Sequence, residues 1–329
     1  MDLSEGHCCV RVLAISAHPG NAAIPSLHPP RDFALYGLTV RSVLDLPGWP
    51  ACAGPGVPDV TILREPLATP LVDGPPYSAR SLLEDGAIHL GVRGVARYRA
   101  SGGNEIRVDP DPAARPEDVR LYLTGAMMGT ILHQRGSFPL HASCVTIAGK
   151  GIALAGPSGA GKSTLVAALL QRGAALVSDD VCVLTPLSSG RFGVWRSAAR
   201  TRLDADALAA LDWPDQQLET AGGNRGKLLV PVDTSADAGD PVALHRVYVL
   251  RDGEGEPRTE SLEGLEAVTA LVEETYFLAY AVALGLASQC FRHAAALASK
   301  VEVARLLRPR GFQHLPGVVD LIETETRLA

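Results

Sequence analysis

A chain of 329 residues is long enough for about two domains with cores of their own, which excludes a single small module. Hydrophobic residues at 47% and charged residues at 20% exclude wholesale disorder and fibrous designs. A net charge of -6 argues against a nucleic-acid surface spread over the molecule, so nucleic acid is not an expected partner.

Residues 1–31 show no sustained periodicity and end in a turn-rich stretch with Pro25, His28, Pro29 and Pro30, so they read as a flexible arm. Asp2 and Glu5 stand where a signal peptide needs basic residues, and export is not expected. Cys8, Cys9, Cys52, Cys144, Cys182 and Cys290 form no C-x-x-C pair; they read as reduced thiols of a cytoplasmic protein. Residues 36–42 alternate like a strand, and residues 46–50, with two prolines and a glycine, break it. Residues 87–95 and 95–99 read as strands, with Ser101-Gly102-Gly103-Asn104 turning into a further strand over 105–108.

Pro116 followed by Glu117 and Asp118 starts a helix, because proline loses no needed donor there and the carboxylates face the positive end of the dipole. Val119, Tyr122, Leu123, Met127 and Ile131 carry it at helical spacing to about Gln134, and Gly136 stops it. The spacing therefore predicts a mainly β N-terminal α+β domain over 32–136 and an α/β domain over 137–329. Its last third, from residue 262 through 307, reads as largely helical, with a second short helix near 318–324. The longest apolar run, residues 277–287, falls well short of the roughly 20 residues of a membrane span, and no membrane is expected. The stripe Tyr276, Phe277, Tyr280 and Leu284 reads as core.

Gly156-Pro157-Ser158-Gly159-Ala160-Gly161-Lys162-Ser163, followed by Thr164, fits the phosphate-binding pattern G-x-x-x-x-G-K-[ST]. A buried-strand sequence over 151–155 precedes it and a strong helix former over 162–170 follows, which is the order the motif requires. Glycines let backbone N–H groups turn toward phosphate oxygens, and the helix N-terminus adds partial positive charge. Lys162 is expected to reach the β- and γ-phosphates of ATP, and Ser163 to offer its hydroxyl to Mg²⁺. About twenty residues on, residues 174–178 read as a strand ending in Asp179-Asp180. One carboxylate can hold Mg²⁺ while its neighbour accepts the proton of an attacking hydroxyl. His141 stands just before the alternating segment 142–148 that leads into the loop, at a strand end near the phosphates. Transition-state charge calls for further cations, and Arg200, Arg202, Arg225 and Lys227 are the candidates on the substrate side.

His141, the loop 156–164 and Asp179-Asp180 together resemble the catalytic core of HPr kinase/phosphorylase in residue type, order and approximate spacing, over residues 138–184. The resemblance implies a compact P-loop kinase core of the HPr kinase and phosphoenolpyruvate carboxykinase type. It implies transfer of phosphate to a seryl hydroxyl of a protein, with Asp179 as base assisted by His141, and Asp180 with Ser163 holding Mg²⁺. Residues 36–42 with Leu46-Pro47 are similar to the start of diverged homologues, among them kinases of lasso-peptide biosynthetic clusters. Pro157 stands where the family usually has an acidic residue, Thr164 where it often has glutamate, and no E-x-R-G-x-G follows. A kinase with an altered acceptor fits these departures. The expected partner is a peptide or protein with a serine; a small-metabolite kinase and a nucleotide-dependent binding switch stay open, as does self-association.

Overall fold

The computed structural model describes residues 29–52, 56–71, 73–197, 199–214, 218–223, 226–232 and 239–328. Most of the expected arm, with Cys8 and Cys9, lies outside the described residues, as does Arg225. The chain forms a mixed α/β structure: a mainly β unit followed by a P-loop α/β core.

Seven strands, β1 (Arg31–Leu35), β2 (Leu38–Ser42), β3 (Val60–Arg64), β4 (Ala79–Glu84), β5 (Ala87–Val92), β6 (Ala96–Ser101) and β7 (Glu105–Pro110), make the first sheet. Their order is β1-β2-β3-β7-β6-β5-β4. The single strand expected over 36–42 is the second arm of a hairpin, because Tyr36 and Gly37 both take positive φ (55° and 75°) and reverse the chain. Residues of β6 and β7 alternate in burial, so Tyr98, Ala100, Ile106 and Val108 face one core. The helix expected over 116–134 is present as α1 (Pro116–Tyr122), a π-helical turn over Leu123–Met127 and α2 (Met128–Gln134). It lays Val119, Leu123, Met127 and Ile131 onto that core, and Gly136 ends it at φ 77°.

The second sheet contains β8 (Phe138–Leu140), β9 (Ala142–Ile147), β10 (Lys150–Ala155), β11 (Ala175–Ser178), β12 (Cys182–Pro186), β13 (Phe192–Val194) and β17 (Val242–Asp252) in the order β11-β9-β10-β17-β13-β12-β8. A small third sheet of β14 (Arg200–Leu203), β15 (Glu219–Thr220) and β16 (Leu228–Pro231) stands beside it. Helix α3 (Lys162–Gln171) buries Leu165, Val166 and Leu169 against the second sheet, each contributing about 1.5–3 kcal/mol. After α4 (Ala205–Ala210), the C-terminal third carries β18 (Arg258–Leu262), α5 (Gly264–Glu273), α6 (Leu278–Ala283), α7 (Ala287–Ala298), β19 (Glu302–Arg308) and α8 (Leu315–Leu328).

One expectation is corrected here. Residues 302–308 are a strand and not helix: β19 lies parallel to β17 and antiparallel to β18, and the sheet overrides the helical propensity of its Ala, Leu and Arg residues. The strands feeding the phosphate loop and the aspartates, β10 and β11, are not neighbours, because antiparallel β9 runs between them. That interposition builds the site. The N-terminal end of β9 is brought to the carboxyl ends of both flanking strands, with Ala142 opposite Ala155 and Cys144 opposite Ser178.

Candidate functional site

Gly156 (φ 149°), Gly159 (φ 84°) and Gly161 (φ 80°) bend the chain between β10 and α3 through conformations that L side chains rarely adopt. A Cβ on Gly161 would also sit 2.8 Å from the Arg308 guanidinium. Lys162 folds back over the loop: its Nζ donates to the carbonyls of Gly156 at 2.5 Å and Pro157 at 3.2 Å, and lies 3.2 Å from Nε2 of His141. Burial pulls its pKa down, against the opposing pull of Asp180, Glu274 and Asp179.

The two aspartates are held differently. Asp179 Oδ1 accepts from the Ser143 hydroxyl at 2.6 Å; its Oδ2 accepts from the Thr201 hydroxyl at 2.8 Å and the Arg202 backbone N–H at 3.0 Å. All three donors are uncharged, and one lone-pair direction of Oδ1 stays available. Asp180 sits at φ 70°, a strained position for a residue with a side chain, and its Oδ2 accepts from Arg202 Nη1 at 2.8 Å. Its Oδ1 lies 3.5 Å from His141 Nε2. Burial alone would raise its pKa, but hydrogen bonding to His141 and the charges of Arg202, His141 and Lys162 outweigh burial and hold the carboxyl well below its usual range.

His141 is therefore placed against Asp180 and Lys162; Asp179 is positioned by Ser143 and Thr201, two residues that the sequence reading did not single out. Among the substrate-side candidates, Arg202 is committed to Asp180, and Lys227 lines the same cavity with Gly222 and Gly223. That cavity, about 640 Å³, runs from the aspartates past Lys162 and Ser163 to Arg308, Arg310 and Phe312. The last three were also missed. Arg308 ends β19 and the other two follow it, some 150 residues from the loop in sequence, and only the β17–β19 pairing brings them to it; Arg308 Nη2 donates to the Ala160 carbonyl. A basic, glycine-containing stretch at the end of a strand, Arg308 to Phe312, was the signal available.

Hard oxygen donors, the Asp180 carboxylate and the Ser163 hydroxyl, face the cavity beside the cradle, and this donor set suits Mg²⁺. Among the described residues no three His, Cys, Asp or Glu side chains gather as a metal site, so a magnesium ion here would share its shell with phosphate oxygens and water.

Residues 135–207 match the family model of the HPr Serine kinase C-terminal domain. A search of curated proteins gives no match. Among solved structures, the Hpr(Ser) kinase/phosphatase from Coxiella burnetii is similar at 18% identity over 58% of this chain and 94% of that chain, with a TM-score of 0.30. His141, the phosphate loop, both aspartates and Arg202 all fall within the matched segment, and over that segment this chain is an HPr kinase-like protein.

Proposed function

We propose that the chain is an ATP-dependent kinase that passes the γ-phosphoryl group to a seryl hydroxyl of a peptide or protein. The observation that carries this reading is the Asp179-Asp180 pair facing Lys162 and the phosphate loop across one cavity, with one carboxylate fastened by uncharged donors and the other by cations. A binding switch has no use for a carboxylate with a free lone pair beside the γ-phosphate position; a transferase does.

In this reading the acceptor oxygen attacks the γ-phosphorus, the bond to the β-γ bridging oxygen breaks, ADP leaves and the hydroxyl proton passes to Asp179. Asp180, kept ionised by its neighbours, and Ser163 hold Mg²⁺, which when bound neutralises phosphate charge. Lys162 and Arg202 add positive charge around the transferring group, and His141 orients Asp180. A cytoplasmic location accords with the free thiols Cys52, Cys144, Cys182 and Cys290. The narrower form of the reading, a precursor peptide of a lasso-peptide pathway, rests on the resemblance over residues 36–42 with Leu46-Pro47 alone. Intact-mass analysis of serine peptides incubated with the enzyme and Mg·ATP tests the proposal: a phosphoryl increment is expected on a subset, and ATP binding without any increment would overturn it.

A further inference from the structure

Asp179 and Asp180 wall two cavities, not one. Besides the nucleotide cavity they line a second cleft of about 50 Å³, on the side of the N-terminal unit, together with Tyr36, Trp49, Arg200 and Arg202. Arg200 and Arg202 are two apart on β14 and so project to the same face. Arg202 is engaged by Asp180. The Arg200 side chain makes no hydrogen bond or ion pair among the described residues. It is held by packing instead: a Cβ on Gly48 would sit 3.0 Å from its Nη1 and 3.1 Å from Nε and Cζ, so the glycine lets backbone lie against the guanidinium.

We propose that Arg200 is an acceptor subsite for a carboxylate close to the phosphorylated hydroxyl, placed on the far side of the aspartate pair from the nucleotide. The inference rests on the kinase reading above and adds the charge of the acceptor to it. A partly buried guanidinium with no hydrogen-bonded counter-ion is costly to maintain; burial and then the like charges of Arg202 and Arg120 push its pKa down to about 10, against the weaker opposing pull of Glu219 and Tyr36. An arriving anion relieves both effects. The cleft holds less than two liquid-water volumes of about 30 Å³ each, room for a single small planar group and not for a nucleotide. A carboxylate also matches the guanidinium fork with two parallel hydrogen bonds. Because Asp179 lines this cleft as well as the donor cavity, a hydroxyl a few bonds from that carboxylate comes within reach of Asp179.

The test titrates the full chain, saturated with a non-hydrolysable ATP analogue and Mg²⁺, with four probes: N-acetylserine, its amide, and amidated Ser-Asp and Ser-Asn dipeptides. Wild-type protein is expected to bind one acidic probe at least tenfold more tightly than its neutral partner, and Arg200→Met to lose that preference while Arg200→Lys keeps part of it. Preference for N-acetylserine over its amide assigns a chain-terminal carboxylate; preference for Ser-Asp over Ser-Asn assigns an acidic neighbour. Equal binding of both pairs by wild-type protein, or a preference that survives in a folded Arg200→Met, overturns the subsite. The same probes with ATP separate the two claims: Arg200-dependent binding with no phosphate transfer to any serine acceptor overturns the kinase reading and leaves the subsite standing.

Discussion

At the scale of single residues, the two neighbouring aspartates do different work because their partners differ. Asp179 faces hydroxyls and a backbone N–H and has a lone pair to spare, which suits the proton-accepting role proposed for it. Asp179→Asn keeps the shape and most of the hydrogen-bonding capacity but removes the proposed base; transfer is expected to fall roughly 10²–10⁴-fold with ATP affinity little changed, as read by single-turnover transfer and nucleotide titration. Turnover within a few-fold of wild type would assign the proton elsewhere. Asp180 carries a stability signature of its own. Its folded pKa is depressed below the unfolded value of about 3.9, so its contribution is complete above that value and is lost as pH falls toward the folded pKa. Urea midpoints of wild type and Asp180→Asn should therefore differ by a constant amount above about pH 5 and converge below about pH 4. A gap that stays constant down to pH 3 would contradict the charge assignment.

At the scale of elements, the loop carrying Gly222 and Gly223 is tied to the N-terminal unit through one carboxylate. Asp118, buried on α1, accepts from Tyr77 Oη at 2.8 Å, from Arg115 Nε and Nη2 at 2.8 Å each, and from the Gly223 N–H at 2.7 Å. A Cβ on Gly222 would meet the Glu117 carbonyl at 2.4 Å, so the loop lies directly on the helix. Asp118→Ala leaves the Gly223 N–H without its acceptor and Arg115 with only longer contacts, among them Glu117 at 3.7 Å, and should cost about 1–3 kcal/mol in urea unfolding; a loss under about 1 kcal/mol would mean that the cluster is solvated in solution. The same cluster shows what was legible beforehand. The phosphate loop, its strand and its helix could be read because glycine spacing, a buried strand and helix formers are local signals, and so could α1, from Pro116 and its acidic first turn. The anchoring of Gly223 by Asp118 spans 105 residues, and Arg308 reaches the loop only by way of β19. Tyr36-Gly37 hid a hairpin because tyrosine is an unusual first residue for a turn with two positive φ angles. The candidate site was thus legible at His141, the loop, the aspartates and the cations Arg200, Arg202 and Lys227, and illegible where packing recruits the uncharged Ser143 and Thr201, the end of β19 and the N-terminal sheet.

At the scale of the molecule, the division expected at residue 136 runs through a shared core. Val181, Val183, Tyr276 and Tyr280 pack in one cluster with Ile88, Tyr98, Met127 and Ile131, and the Tyr280 hydroxyl lies 2.6 Å from Ser81 Oγ. Tyr276 belongs to both neighbourhoods: its carbonyl meets His133 Nε2 at 2.6 Å while its ring lies 5.9 Å from that of His141. Stripping the N-terminal unit away would expose those four side chains, a loss of about 6–12 kcal/mol at roughly 1.5–3 kcal/mol each. That is comparable to the roughly 5–15 kcal/mol that holds an ordinary domain together. Residues 137–329 expressed alone are therefore expected to unfold without a sharp urea transition and to bind a hydrophobic dye, although every residue of the phosphate loop is present. Cooperative unfolding of that fragment near the full-length midpoint would show that the shared cluster adds little. Because Tyr36, Trp49 and the Asp118 anchor all come from the first 136 residues, losing the N-terminal unit removes one wall of the second cleft and the support of the Gly222-Gly223 segment together with part of the shared core.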